Sequence, residues 1–178
     1  PGPCGPNSEM FYWVSNEEPP PSGAYSKEDY LRDEAEGKWL EIWNDVFIQF
    51  EWQGELKNPE RPADGFQKTG MPPLPFQSID TGMGLERTAA VLGGFRSVYD
   101  TDVFAPILWK IQDLAHTQAN LSGYAYGKDE RLDVAVRIIA DHIRTACFCL
   151  ADGIRPENTG RGYVLRRLIR RAVLKGQR

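Results

Sequence analysis

The strongest constraint on the fold is the alternation of apolar and polar residues along residues 38–52 (KWLEIWNDVFIQFEW). From Leu40 to Trp52, every even-numbered position except Asn44 is apolar, a period of two that a β-strand produces and a helix does not. The odd-numbered positions mix aromatic with acidic residues, so both faces should be partly covered. The pattern therefore predicts a strand in the middle of an antiparallel sheet.

Two further short strands are predicted, one on each side of this strand in the sequence. Residues 8–14 (SEMFYWV) are rich in aromatic residues, and residues 76–80 (FQSID) form a second short run. The segments 15–37 and 53–73 are polar and punctuated by proline and glycine, which predicts surface insertions.

A glycine-rich turn and a helix follow the last of these strands. The sequence TGMG at 81–84 is expected to break the strand, and the pattern of 85–92 predicts a helix ended by Gly93 and Gly94. Strand, turn and helix should form one compact unit.

From residue 100 onward the apolar residues recur every three or four positions, which indicates helices. Three helices are predicted: one from Asp100, with Pro106 tolerated in its first turn, one over 132–151 that stops at Gly153, and one from Tyr163. Their apolar stripes are Val103, Ile107, Ile111 and Leu114 on the first, Ala135, Ile139, Ile143, Ala146 and Leu150 on the second, and Leu165, Leu168, Ile169 and Ala172 on the third. The fold class predicted is α+β.

The net charge of −4 hides a strong asymmetry. Residues 155–178 carry eight basic groups and one acid, a net of +7, so the remaining 154 residues carry a net of −11. The basic residues of this segment are Arg155, Arg161, Arg166, Arg167, Arg170, Arg171, Lys175 and Arg178. Such a basic end favours a polyanion such as a nucleic acid as partner, although arginines on a helix can also form a solvated face.

The cysteines and the hydropathy pattern bear on the compartment. The three cysteines, Cys4, Cys147 and Cys149, are odd in number and lack zinc-ligand spacing, which favours unpaired thiols in a reducing, cytoplasmic setting. No stretch of about 18 apolar residues is present, so neither a spanning helix nor a membrane partner is expected.

Three polar residues are candidates for ligand contacts. Asn44 interrupts an apolar strand face, where an unpaired buried amide would cost about 1–3 kcal/mol, so it either bonds to nearby backbone or faces a ligand beside Val46. Asp80 either caps the turn or pairs with a substrate ammonium. Arg87 places a cation at the positive end of a helix, next to glycines 82 and 84, which suits a phosphate ligand.

The two histidines, His116 and His142, lie within helical patterns and apart from any candidate nucleophile. Structural roles are favoured for both. The sequence contains no readable Ser-His-Asp or Cys-His arrangement and no candidate for acid–base chemistry.

Five separated segments together resemble the alanyl-tRNA synthetase family, which belongs to class II. They are GPCGPNSEMFY at 2–12, EIWNDVFIQF at 41–50, DTGMGLER at 80–87, RIIADHIR at 137–144 and GRGYVLRR at 160–167. The resemblance implies part of a class II antiparallel sheet whose third motif is the strand, turn and helix at 80–87. It implies the C-terminal half of the aminoacylation core over 1–97 and the start of a helical tRNA acceptor-stem recognition domain over 98–178.

The family activates alanine with ATP to alanyl-adenylate and then transfers it to tRNA(Ala). The resemblance assigns Arg87 to the γ-phosphate of ATP as the catalytic residue. It also assigns ATP binding to Ile42, Trp43, Asn44, Gly84 and Arg87, and alanine binding to Asn44, Val46, Asp80 and Gly82. Asp80 would pair with the α-ammonium group.

The resemblance also implies contacts with tRNA and with Mg²⁺. Asn158 would contact the acceptor stem near its G·U pair, and the nearby arginines would bind the stem backbone; these are Arg161, Arg166, Arg167, Arg170 and Arg171. Glu41 matches a position at which class II enzymes hold Mg²⁺, although on an ideal strand it would face away from Asn44. The zinc of the family's editing domain is not expected in this chain.

Class II motifs 1 and 2 are not found in the chain, so we expect its partners to include the missing parts of the same synthetase. The isolated chain should be nearly inactive. Two other hypotheses remain open: a non-catalytic RNA-binding module that uses the basic helix, and a soluble interaction domain whose arginines are merely solvated.

Overall fold

The computed structural model describes residues 1–21, 23–119 and 121–177. The chain folds into two compact units, Pro1–Arg96 and Ser97–Arg178. Ser22 of the first predicted insertion and Arg178 of the basic segment lie outside the described residues.

The first unit is built on one long strand, β3 (Trp39–Leu56), which confirms the strand predicted from the alternation. The other four strands are β1 (Gly2–Cys4), β2 (Asn7–Trp13), β4 (Phe66–Gly70) and β5 (Pro73–Met83), and each pairs with β3 in antiparallel orientation. Because β2 and β5 both pair with Trp43–Val46, they lie on opposite sides of β3. This arrangement covers both edges of β3, as predicted for a middle strand.

The insertion 15–37 is more ordered than its composition predicted. It contains helix α1 (Lys27–Ala35), which begins with a capping box between Ser26 and Asp29. The carboxylate of Asp33 is buried and accepts a hydrogen bond from the Tyr25 hydroxyl at 2.8 Å. Most described residues of the insertion are exposed, as predicted for a surface insertion, but the composition did not predict its helix.

The second insertion, 53–73, is also partly regular. The end of β3 and strand β4 form a hairpin around a short 3₁₀ turn, Pro62–Asp64. Strand β5 continues through Thr81 and Gly82, so the predicted break at 81–84 is wrong, because backbone pairing with β3 extends as far as Met83.

Helix α2 (Leu85–Leu92) confirms the predicted helix. Gly84 is its N-cap residue, Gly93 is its C-cap, and Gly94 follows with φ of +70°, a left-handed conformation that glycine adopts readily.

The second unit contains three helices, α3 (Ala105–Gln118), α4 (Glu130–Ala151) and α5 (Gly160–Gly176). Helix α3 starts five residues later than predicted, after a short 3₁₀ turn at Val98–Asp100, with Pro106 in its first turn. The core consists of Phe104, Leu108, Tyr124, Val136 and Ala140. An antiparallel sheet followed by these helices confirms the predicted α+β class.

The apolar stripe predicted on α4 is only partly buried. Ile143 and Leu150 remain 44% and 48% exposed, whereas Val136 and Ala140 are buried. The buried side is displaced because α4 packs against α3 as well as α5. Gly153, with φ of +84°, follows the end of α4 as predicted.

The stripe on α5 is confirmed more fully, since Leu165 and Ala172 are 1% and 8% exposed and α5 packs on α4. Within the described ranges, no helix is long and apolar enough to cross a membrane.

Candidate active site and nucleic-acid interface

The strand register brings the four predicted alanine-binding residues together. Asn44 lies directly opposite Gly82, and two positions further along β3, Val46 lies opposite Asp80. Positions two apart on a strand share a face, so these residues form a two-by-two block on one side of the sheet. We call this block the β3–β5 face.

The Asn44 carboxamide is held from the other side of β3, by strand β2. Its Nδ2 donates a hydrogen bond to Oε1 of Glu9 at 2.8 Å, and Glu9 lies directly opposite Asn44 in the register. The same oxygen accepts a hydrogen bond from Nδ2 of Asn7 at 2.6 Å. The partner of Asn44 is thus a side chain on a neighbouring strand rather than nearby backbone.

Glu9 was not assigned a role from the sequence. The signal that could have found it is the Ser8-Glu9 pair inside the first resembling segment. Its importance depends on a cross-strand register that the sequence does not reveal.

Asp80 supplies an uncommitted carboxylate to the β3–β5 face. Its side chain is exposed and forms no hydrogen bond or ion pair within the part of the chain that the structure describes. It lies inside β5, three residues before the strand ends, so it does not cap a turn. A Cβ added at Gly82 would meet no atom within 4 Å, which leaves open space beside this carboxylate.

Arg87 folds back from the first turn of α2 onto β3. Its Nη1 donates to the backbone carbonyl of Glu41 at 2.8 Å and lies 3.4 Å from the Glu41 carboxylate. Gly84 keeps this path clear, because a Cβ there would lie 3.3 Å from the Arg87 Cβ and Cδ. The backbone N–H of Gly84 also donates to the carbonyl of Ile42 at 3.0 Å. Both bonds tie the turn to β3.

A β-bulge lies next to these contacts. Met10 pairs with Trp43, but Phe11 pairs with Glu41, so Ile42 has no partner on β2. The bulge interrupts the alternation of side chains between the two faces of β3. The expectation that Glu41 faces away from Asn44, which assumed an ideal strand, therefore does not hold here.

The pKa of Tyr30 on α1 is affected by several nearby carboxylates. Its pKa is raised first by burial, then by Glu34, and also by both Glu9 and Glu41. Tyr30 packs edge-to-face on Phe11, with ring centroids 5.7 Å apart. Glu9 and Glu41 therefore lie close enough to influence the same hydroxyl.

The predicted nucleotide-binding residues do not all share one set of contacts. The Trp43 indole N–H donates to Oγ1 of Thr81 on β5, whereas Asn44 bonds to Glu9 on β2. Ile42 is half-buried at the bulge. Gly84 contacts Ile42 and Arg87 contacts Glu41, so three of the five predicted nucleotide-binding residues, Ile42, Gly84 and Arg87, lie close together.

Glu41 is the predicted ligand for Mg²⁺. Across the described ranges, no group of three or more His, Cys, Asp or Glu residues could hold a metal ion by itself. Magnesium at nucleotide sites is usually bound by one or two carboxylates together with substrate phosphates. Glu41 could supply one such carboxylate, although the Arg87 guanidinium already lies 3.4 Å from it.

The predicted tRNA-binding residues line an open groove along α5, which we call the basic groove. Its volume is about 540 Å³, and its polar lining is Asn158, Tyr163, Arg166, Arg167, Arg170 and Arg171. An Arg166 Nη1 donates to Oδ1 of Asn158, and the Arg167 guanidinium lies 5.7 Å from the Tyr163 ring centroid. Tyr163 also lines the groove, and no sequence pattern predicts this position.

Arg161 is separated from this set. It lines a second groove of about 420 Å³ at the start of α5, together with Arg155 and Glu157. None of the arginines of α5 forms an ion pair with a carboxylate among the residues that the structure describes. Their charge is therefore available to an external anion.

Gly162 explains why the loop before α5 lies so close to the helix. A Cβ at this position would come within 2.4 Å of the Arg155 carbonyl oxygen and 2.7 Å of the Glu157 Cβ. The absence of a side chain lets the loop cross the first turn and carry Asn158 to the basic groove.

Both histidines lie within hydrogen-bond distance of a neighbouring oxygen. His116 Nε2 lies 2.6 Å from the Tyr124 carbonyl oxygen, and the His142 side chain is buried with Nδ1 2.7 Å from an Asp141 oxygen. All three cysteines are free.

Comparison with known families gives the class. The model of the family described as tRNA synthetases class II (A) matches residues 1–178. The chain belongs to that family.

Three similar proteins are all named alanine–tRNA ligase. The alanine–tRNA ligase of Acidithiobacillus ferridurans is 44% identical over 177 residues, which cover 99% of this chain and 17% of that protein. The alanine–tRNA ligase of Thermobifida fusca is 45% identical over 174 residues, 97% of this chain and 17% of that protein. That of Treponema pallidum is 43% identical over 179 residues, 99% of this chain and 25% of that protein. The chain thus spans 17% to 25% of the length of these relatives.

Proposed function

We propose that the chain is part of an alanine–tRNA ligase, which activates alanine with ATP and transfers it to tRNA(Ala). The first unit contributes to the aminoacylation core, and the second begins the domain that binds the acceptor stem. The observation that carries this proposal is the β3–β5 face, where an unpaired carboxylate, a fixed carboxamide and an open glycine position lie side by side.

The β3–β5 face suits a small amino acid. The Asp80 carboxylate has no internal partner within the described ranges and can pair with an α-ammonium group. Val46 offers a small apolar surface opposite Asp80, and Gly82 leaves space. A methyl side chain would be accommodated there, with Asn44 fixed at the adjacent position.

Arg87 suits the phosphates of ATP. A guanidinium has five donors in a planar fork, and both described contacts to Glu41 use Nη1 alone. The other donors can stabilise the charge that develops on pyrophosphate as it leaves. Ile42, Trp43 and Gly84 would line the nucleotide site beside Arg87, and Glu41 would hold Mg²⁺, which when bound neutralises phosphate charge.

The basic groove suits the acceptor stem of tRNA. Its arginines lack carboxylate partners within the described ranges, and phosphate contacts of this kind supply affinity. Asn158, fixed by Arg166, would supply a contact with base edges. Arg161, in the second groove, would contact a different part of the backbone.

The chain would need further parts of the aminoacylation core to be active. Because the relatives are several times longer, we propose that the remaining core is supplied by the rest of the same ligase and that residues 1–178 alone are nearly inactive. A pure RNA-binding module is disfavoured, since it would need neither the β3–β5 face nor the Arg87 turn.

The direct test is alanine-dependent exchange of labelled pyrophosphate into ATP. The complete ligase that contains this chain should catalyse exchange, and residues 1–178 alone should not. Salt-sensitive tRNA binding by the complete protein without any alanine-dependent exchange would instead support the RNA-binding module.

A further inference from the structure

One oxygen of Glu9 accepts hydrogen bonds from two primary amides. Oε1 lies 2.6 Å from Nδ2 of Asn7 and 2.8 Å from Nδ2 of Asn44. Hydrogen bonds to an ionised carboxylate are stronger than those between neutral groups. The contact to Asn44 joins residues that are 35 positions apart in the chain, so it forms only in the folded sheet.

The contact decides which end of the Asn44 carboxamide faces a ligand. A carboxamide can present either its N–H groups or its oxygen, because the two ends have nearly the same shape. With Nδ2 donating to Glu9, Oδ1 accepts no hydrogen bond within the part of the chain that is described. Asn44 therefore keeps its acceptor oxygen available on the side away from Glu9, and of its two N–H groups only one is left as a donor.

This orientation matches the charge of an amino acid's ammonium group. Asp80 lies diagonally across the block from Asn44, through the pairs Asn44–Gly82 and Val46–Asp80. An ammonium has three donors and no acceptor, so a hydrogen-bonding partner must offer it an acceptor such as an oxygen atom. An Asn44 turned the other way would place N–H groups against it.

We infer that Glu9 is a positioning residue for amino-acid binding, which acts through Asn44 by fixing the carboxamide with its oxygen towards the substrate ammonium. The inference rests on the proposed function. Glu9 itself does not contact the substrate. Its negative charge and acceptor oxygen fix the orientation of the Asn44 side chain, which does contact the substrate.

A positioning role for Glu9 can be distinguished from a purely structural role, in which Glu9 only joins β2 to β3. A structural link would affect every kinetic parameter together, or the amount of folded protein. A positioning role should appear in the KM for alanine and leave the KM for ATP and the kcat nearly unchanged.

The test uses the complete ligase and alanine-dependent ATP–pyrophosphate exchange with Glu9→Ala, Glu9→Gln, Asn44→Ala and the double variant of Glu9→Ala with Asn44→Ala. Glu9→Ala should raise the KM for alanine about tenfold, in keeping with loss of one charge-assisted hydrogen bond. Glu9→Gln keeps an acceptor oxygen and should recover most of that loss. Glu55→Ala removes an exposed glutamate from the same strand as Asn44 and should behave as wild type.

The double variant decides the issue. If Glu9 acts through Asn44, adding Glu9→Ala to Asn44→Ala should change the KM for alanine less than about twofold. Two results would overturn the inference while leaving the proposed function in place. One is a further tenfold rise in the KM for alanine when Glu9→Ala is added to Asn44→Ala. The other is a Glu9→Ala variant in which kcat falls while the KM values for alanine and ATP both rise. A wild-type ligase without alanine-dependent exchange would contradict both.

Discussion

The Arg87 guanidinium donates a hydrogen bond to the backbone carbonyl of Glu41 at 2.8 Å, across 46 positions of sequence. The same nitrogen lies 3.4 Å from the Glu41 carboxylate. A cation proposed for phosphate and a carboxylate proposed for magnesium therefore adjoin each other. The turn at Gly84, bonded to Ile42, holds the two elements in this arrangement.

Arg87→Ala should lower the kcat of alanine-dependent exchange in the complete ligase about 10²–10³-fold, as expected when a group that stabilises developing charge is removed. Arg96→Ala is the matched control, because Arg96 is an exposed arginine just after α2. Steady-state exchange kinetics make the comparison. Wild-type kcat in Arg87→Ala would refute the phosphate role.

Arg170→Ala and Arg171→Ala should each weaken tRNA binding and flatten its salt dependence. Each lost phosphate contact should reduce the slope of log affinity against log salt by about one. The slope is measured by titrating the ligase with tRNA at several salt concentrations. Arg131→Ala, an exposed arginine on α4, should leave it unchanged. Equal slopes in all variants would mean that the basic groove does not contact phosphate.

Gly162→Ala should destabilise the start of α5. The new Cβ would meet the Arg155 carbonyl oxygen at 2.4 Å, and relieving such overpacking costs about 1–3 kcal/mol. Thermal unfolding should show a lower Tm, with weaker tRNA binding. Gly176→Ala is the control, since its Cβ would meet only Ile139 Cδ1 at 3.9 Å. If both variants unfold like wild type, the loop does not depend on Gly162.

Acid should open the segment around α1. Hydrogen bonds from Arg32 and then from Tyr25 lower the pKa of the Asp33 carboxyl, so the ionised form is favoured in the folded state. This contribution is complete above the unfolded pKa of about 3.9 and is lost as pH falls through the folded value.

Hydrogen exchange of residues 25–39, corrected for the intrinsic effect of pH, measures that opening. Protection of the Lys38 N–H, which donates to the Asp33 carbonyl at 2.9 Å, should decrease below about pH 4. Asp33→Asn should weaken this pH dependence, leaving the part due to Asp29, whose pKa is lowered by hydrogen bonds from Ser26 and Arg32. Asp64→Asn in the exposed 3₁₀ turn should leave it unchanged. Unchanged protection of wild type down to about pH 2 would contradict the account.

Strand β3 and helix α5 could be predicted because their apolar residues recur with the period of a strand or of a helix. The burial of α5 follows that period because one side packs on α4, whereas residues 39–52 of β3 are half-buried on both faces. Helix α1 was not predicted because serine and aspartate, here Ser26 and Asp29, favour turns as well as helix N-termini. Strand β4 was missed because Phe66 is its only large apolar residue.

The candidate site was predictable as a set of residues but not as an arrangement. Asn44, Val46, Asp80 and Gly82 were identified through the family resemblance, and the register places them in one block. The bulge at Ile42 has no mark in the sequence, since isoleucine is an ordinary strand residue. The Glu9 contact depends on pairing between distant strands, which no local pattern encodes.

The most direct test of the central claim compares Asp80→Ala with Asn158→Ala in the complete ligase, measuring alanine-dependent exchange and tRNA aminoacylation for each. Asp80→Ala should abolish most exchange while leaving tRNA affinity close to wild type, because its carboxylate belongs to the β3–β5 face. Asn158→Ala should spare exchange and impair aminoacylation, because its amide belongs to the basic groove. Equal damage to both steps by both variants would contradict the assignment of amino-acid activation and tRNA recognition to separate sites.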